Sequence, residues 1–275
     1  MTTFSYPLFL LSTLDASLNR TGEFSTRVEV AWLLSYLTAG GEKIVDELLK
    51  DFDAIEWICT MFNFVQDGEA AAPLLVPLLR TASSIIAGPD VRIASFLAAP
   101  NFLRNLVISM QCDHRAVKKE SVWLVSNLAS SDKSNVQMLI NADGMVSTLV
   151  DLLLNYAFDI RKEAGFALVN MAIVCGVTSA LVDLGVLKGY VKLLASHDME
   201  AKGMSLAFLE SALRCHPNAV ALIQAEDGID ALEETAMCQV PKLSGQASFL
   251  VDKYYSDIPD DVEMDMGGGD RMSQA

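Results

Sequence analysis

Basic residues are scarce in this chain. Lys and Arg number 20 against 35 Asp and Glu, which leaves a formal charge of −15 over 275 residues. Clustered phosphate contacts require the opposite balance, so no nucleic-acid ligand is expected and a basic partner fits better. Part of the acidity lies in the last twenty residues, where Asp257, Asp260, Asp261, Glu263, Asp265 and Asp270 face only Arg271. His114, His197 and His216 stand apart from one another, and the Cys112-Asp113-His114 cluster lacks further ligands, so neither a metal nor a cofactor is expected. The five cysteines are odd in number and show no CxxC spacing, and they read as buried small hydrophobes in a reducing compartment. With only 8 prolines and 16 glycines there is little linker material. The glycine run Gly267 to Gly269 has no phosphate-loop context and reads as linker. No Ser/His/Asp ordering or nucleophile elbow stands out, so the chain is expected not to be an enzyme. The apolar run Leu8 to Leu11 lacks a basic flank and soon meets Asp15, which argues against a signal peptide; no stretch reads as a membrane span. No convincing strict alternation of apolar and polar residues occurs, so no strand is assigned.

What the chain has is apolar surface and a repeat. Hydrophobic residues make up 52% of it, enough for a continuous core. A helix-like stretch bearing one large residue recurs at Trp32, Arg80, Trp123, Phe166, Phe208 and Phe249, with separations by subtraction of 48, 43, 43, 42 and 41. A period of about 40–47 residues is that of armadillo and HEAT solenoids. A second marker, Gly144, Gly185 and Gly228, keeps the same phase, and each glycine is expected in a tight turn between two helices. After the first of them Met145, Leu149, Leu152 and Leu153 recur at helical spacing and give one buried stripe. The expected fold is all-α, an armadillo-repeat right-handed superhelical solenoid. Its expected parts are a partial N-terminal repeat helix over 1–20, about six to seven repeats over 21–256, and an acidic, glycine-containing disordered tail over 257–275. Stacked repeats would leave one helix of each on a concave side.

The most specific local signal is KKESVWLVSNLAS, residues 118–130, answered one period later by RKEAGFALVNMAI, residues 161–173. In each, Glu120 or Glu163 precedes the aromatic Trp123 or Phe166 by three residues, and Asn127 or Asn170 follows it by four. Those spacings put all three side chains on one helical face. An asparagine amide there can both donate to and accept from the backbone of an extended peptide, whatever its sequence. An aromatic one turn away offers a face for a Lys or Arg stem, worth about 0.5–2 kcal/mol per contact. A glutamate selects cations, though an exposed pair contributes only about 0–1 kcal/mol, so specificity must come from repetition.

With those residues the chain resembles the C-terminal two-thirds of importin alpha, the armadillo adaptor of nuclear protein import, from about residue 25 to 258. RVEVAWLLSYLTAG, residues 27–40, is similar to the family's fourth repeat, where a tyrosine, here Tyr36 after Trp32, replaces the asparagine. LLRTASSIIAG, residues 78–88, is similar to its fifth, with Arg80 at the tryptophan position. AEDGIDALEETAM and SFLVDKYYSD resemble helices of the tenth. The resemblance implies that Glu120, Trp123, Asn127, Glu163 and Asn170 belong to the smaller of the family's two signal-binding sites, with Phe166 beside them at a tryptophan position and Trp32 at the edge of the larger site. Phe166 for tryptophan and Ser84 for asparagine are departures that should weaken clamping. The implied partners are cargo proteins with lysine- and arginine-rich nuclear localisation signals. An export receptor and a nucleoporin would meet the C-terminal repeats, in cytoplasm and nucleus. The family's basic N-terminal segment has no counterpart here, so importin beta is not expected to be recruited by the usual route.

Two other functions compete: an armadillo scaffold for other protein partners, and a decoy that binds cargo without importin beta. Plainer readings apply to single residues. Trp57 reads as packing between helices, Arg80 as a partner for a neighbouring acid, and Met138, Met145, Met171 and Met204 as core fillers. The basic runs Arg115 to Lys119 and Arg161-Lys162 read as surface charge at helix starts.

Overall fold

The computed structural model describes residues 23–256. The expected N-terminal helix over 1–20 and the tail over 257–275 lie outside the described residues. Within 23–256 every regular element is helical. A leading helix, α1 (Phe24–Thr38), is followed by five three-helix units. These are α2 (Glu42–Asp51), α3 (Ala54–Met61) and α4 (Ala72–Ile86); α5 (Asp90–Ala98), α6 (Phe102–Gln111) and α7 (Arg115–Leu128); α8 (Lys133–Asn141), α9 (Met145–Asn155) and α10 (Phe158–Cys175); α11 (Thr178–Asp183), α12 (Leu187–Leu194) and α13 (Met199–Cys215); and α14 (Ala219–Gln224), α15 (Gly228–Ala236) and α16 (Pro241–Tyr254). The expected six to seven repeats are thus five complete units and one third helix.

Local chemistry sets the boundaries. Asp53, Asp132 and Asp198 cap α3, α8 and α13, their carboxylates accepting the backbone N–H of Glu56, Asn135 and Ala201 at 3.0, 2.9 and 2.8 Å. Pro73 and Pro241 sit in the first turns of α4 and α16, where a missing N–H costs nothing. In the last four units the chain turns from first to second helix through a left-handed residue: Asn101, Gly144, Gly185 and Asp227, with φ of 63, 75, 79 and 59°. Gly144 and Gly185 are where the sequence places them. In the last unit the left-handed position is Asp227, and Gly228 instead opens α15, where an added Cβ would lie 2.3 Å from Ile223 Cγ2. The third glycine is therefore kept by close approach rather than by backbone conformation.

The third helices α1, α4, α7, α10, α13 and α16 pack on one another in sequence and form a continuous layer backed by the second helices. One core runs through all the units. Trp57 is buried against Phe52, with ring centroids 6.3 Å apart. Met145, Met171 and Met204 are buried as expected, whereas Met138 is exposed. Of the cysteines only Cys59 is buried; burial lifts its thiol pKa to about 12, Asp53 adding to the effect. All five are free, Cys215 is exposed and the other three are partly so, which corrects the reading of five core residues.

A second correction concerns register. Ile160, Ala164 and Ala167 of α10 match Ala201, Ser205 and Phe208 of α13 in burial, so Ala207 and not Phe208 takes the place of Phe166. One residue is about 100° around a helix. Phe208 accordingly points inward, stacked on Tyr190 at 3.9 Å and 9°, while the Tyr190 hydroxyl donates to the Gly165 carbonyl at 2.9 Å. Phe249 keeps the outward position on α16 and is half exposed.

The expectation of no membrane-length stretch needs a correction too. From Ala54 to Ile86 the chain is helical for 33 residues, α3 and α4 being joined by a 3-10 segment (Phe62–Ala71), and its best window reaches a mean hydropathy of 1.2. By length and composition alone that suffices to cross a membrane. The run breaks at Gly68 (φ 62°, ψ −136°), and 67% of the window is buried inside the solenoid.

The register difference between two phenylalanines is testable by thermal unfolding. Phe208→Ala is expected to cost about 3–5 kcal/mol, and Phe249→Ala, on an exposed strip, well under half of that.

Candidate peptide-binding groove

A third helix packed on its neighbours and backed by a second helix has one strip left uncovered. On α7 that strip carries Glu120, Trp123 and Asn127, and on α10 Glu163, Phe166 and Asn170; Trp123 is 40% exposed and the other five are partly exposed. Because α7 and α10 pack side by side, the two triplets form adjacent rungs. The same positions read Pro77, Arg80 and Ser84 on α4 and Met204, Ala207 and Ser211 on α13. The glutamate, aromatic and asparagine pattern is thus confined to two helices.

A cleft of about 430 Å³ opens over these rungs, lined by Arg80, Lys119, Glu120, Trp123, Phe158, Asp159, Lys162, Glu163 and Asp198. Glu163 is tied across the helices, its Oε2 accepting from the Ser126 hydroxyl at 2.7 Å. Glu120 takes no hydrogen bond among the described residues. Burial raises its pKa above the usual carboxylate value, with the positive charges of Arg80 and Lys119 pulling it partly back. A half-buried carboxylate under this penalty gains from any cation brought against it. The amides of Asn127 and Asn170 make no side-chain hydrogen bond among the described residues, so their donors and acceptors remain open to a ligand.

The other predicted residues lie apart from this cleft or at its edge. Trp32 and Tyr36 on α1 stack on each other at 5.7 Å and 27°, with Tyr36 70% exposed. The α4 helix separates them from α7. Arg80 lies between the two groups; it is exposed and has no carboxylate within ion-pair distance among the described residues, so the expected acid partner is not found. Ser84 turns its hydroxyl back to the Arg80 carbonyl at 3.1 Å.

Sequence reasoning missed the acids at the edge of the cleft. Asp159, in the first turn of α10, is held by Arg115 at 2.8 Å and Lys119 at 3.4 Å. Burial works against its ionisation, but Lys119 and Arg115 outweigh it and keep the carboxyl below its usual range. Lys162 bonds Asp198 at 2.8 Å and Glu200 at 2.7 Å at the start of α13, and its ammonium lies 6.0 Å from the centre of the Phe166 ring. The signal was a basic residue just before each groove glutamate and an acid about forty residues on; read along one helix, those cations are only surface charge. Lys118 is buried and Arg161 half-buried instead: Lys118 Nζ lies 4.3 Å from the Tyr156 ring centre and 3.1 Å from its hydroxyl, and Arg161 donates to the Tyr156 carbonyl at 3.0 Å. No group of metal-ligating side chains occurs among the described residues.

No protein-family model matches the chain. It is similar to importin subunit alpha-2 of Oryza sativa subsp. japonica, 30% identical over 266 residues that cover 90% of this chain and 49% of the relative. The curated relatives are importin alpha subunits, and the chain spans about half the length of those it matches along nearly its whole extent. Among solved structures, a designed armadillo repeat protein superposes with a TM-score of 0.71 at 21% identity, covering 86% of this chain and 95% of that one. A second, titled as a complex with peptide (KR)4, gives a TM-score of 0.64 at 20% identity over 84% and 99%. The chain is an armadillo-type all-α solenoid.

The raised pKa of Glu120 fixes the sign of a stability test. Its folded-state value lies above the unfolded one, so this group favours the fold when protonated, and the benefit is lost as pH rises through the folded value. Glu120→Gln should therefore unfold at a slightly higher temperature than the parent at neutral pH and at the same temperature well below the carboxylate range. A lower unfolding temperature at neutral pH would mean that Glu120 has a stabilising partner.

Proposed function

We propose that this chain, a relative of importin alpha subunits over nine-tenths of its length, is an adaptor that binds lysine- and arginine-rich nuclear localisation signals along its third-helix layer for protein import into the nucleus, working in cytoplasm and nucleus. The observation that carries this reading is the pair of adjacent rungs on α7 and α10. Each supplies an acid, an aromatic face and an uncommitted amide in one strip.

The chemistry fits an extended basic peptide. Asn127 and Asn170 would hold its main chain, Trp123 would cover an aliphatic stem, and Glu120 and Glu163 would receive the cationic ends. An extended strand advances about 3.3 Å per residue and packed helices lie about 8–10 Å apart, so one rung serves every third residue or so. The peptide (KR)4 named with one designed structure of this fold is of the same class. The net charge of −15 adds attraction for such a partner.

Fluorescence anisotropy with a labelled lysine-rich peptide and an acidic control tests the reading. Salt-sensitive binding of the basic peptide alone is expected. Asn127→Ala should weaken it about tenfold through loss of the main-chain clamp, and Trp123→Ala about threefold to thirtyfold. Equal binding by parent and both variants would remove the groove from the account, and equal binding of the acidic control would remove the signal peptide.

A further inference from the structure

The aromatic faces of the two rungs are not equivalent. No cation of the described residues lies over Trp123, whereas Phe166 has the Lys162 ammonium 6.0 Å from its ring centre. Lys162 is also only 16% exposed, held between Asp198 at 2.8 Å and Glu200 at 2.7 Å. Asp198 is fully committed, since one oxygen takes Lys162 and the other caps α13 through the Ala201 N–H. Beyond this point the strip offers no replacement acid, because α13 places Gly203 and Met204 where α10 has Lys162 and Glu163.

We propose that Lys162 is an internal occupant of the cation subsite at Phe166, which restricts the groove to one cluster of basic side chains, received at Trp123 between Glu120 and Glu163. The inference rests on the proposed peptide-binding role and deepens it by assigning the residue that limits which basic peptides are preferred. A guest lysine at Phe166 would have to displace one that is already paired with two carboxylates, and exchanging one lysine for another yields no net ion pair. An open Trp123 subsite has no such exchange to make. The equivalent lysine on α7, Lys119, does not cover its own aromatic; it turns to Asp159, which also holds Arg115.

Removing the Lys162 charge frees Asp198 and Glu200 to face a ligand. The test compares two labelled peptides, one with a single lysine-arginine pair and one carrying a second pair about three residues further on, the spacing from one rung to the next. Parent, Lys162→Met and, as a control for the loss of one positive charge, Lys192→Met on the exposed surface of α12 are titrated with both. The parent is expected to bind the two peptides within about a factor of two. Lys162→Met should bind the longer peptide about twofold to fivefold more tightly than the parent does, the scale of one ion pair, and change for the shorter one no more than the control. Lys162→Gln, whose amide can still donate to Asp198, should move the same way and covers the case in which the methionine variant folds poorly.

The proposal is overturned if the variants show no selective gain for the longer peptide, or if the parent already prefers that peptide strongly. Failure of parent and variants to bind either peptide would instead overturn the proposed function, and this inference with it.

Discussion

What a ligand could meet along the third-helix layer follows from how tightly those helices are enclosed. Each of α4, α7, α10 and α13 is flanked by the third helices before and after it and backed by its own second helix. In α7 that enclosure takes Val117, Lys118, Ser121, Val122, Leu124, Val125, Ser126 and Leu128 out of solvent and leaves a strip about one side chain wide. Side chains open to a ligand on this layer are therefore limited to positions three and four residues apart. A shift of one residue moves a side chain from the groove to the core, as the neighbours Ala207 and Phe208 show.

The same enclosure explains the handling of charge. Lys118 and Lys202 are buried at the start of their helices because their ammonium groups find polar partners there, Lys202 donating to the Leu194 carbonyl at 2.7 Å and to the Thr235 hydroxyl at 3.1 Å. Lys119, next to Lys118, and Lys162, next to Arg161, reach the following third helix and pair with acids at its start. Such pairs join neighbouring units, although exposed ones add little stability each. They also neutralise most of the acids around the cleft. What stays available is narrow: Glu120 under a desolvation penalty, one oxygen of Glu163, and two asparagine amides. On the proposed reading such a groove would select through few, well-placed contacts, with the net negative charge adding general attraction.

The order of the rungs gives the layer a direction in chemistry. Trp32 and Tyr36 stack on each other at one end, Arg80 interrupts with a positive charge, and the acid, aromatic and amide pattern holds for two helices. It then gives way on α13 to Met204, Ala207 and Ser211, the last hydroxyl already shared with Thr178 at 2.8 Å. A long uniform basic peptide would meet matching chemistry over only a short part of its length.

The sequence by itself determined the period, the all-helical class, the turns at Gly144 and Gly185, and the spacing that puts Glu120, Trp123 and Asn127 on one face, because each of these depends on near neighbours along the chain and on the 3.6-residue turn. The resemblance carried by the same residues extended that to a family. Only the tertiary structure decided which face of each helix is left free, and so moved Phe208 into the core against Tyr190 and left Phe249 outside. It also decided that Lys162 meets Asp198 and Glu200 and lies against Phe166, since those partners are some forty residues apart in the chain and are joined only when one unit packs on the next. Periodicity records which residues share a helix face; contacts between units depend on the rotation of each helix about its axis, which is set by packing volume and not by the local pattern.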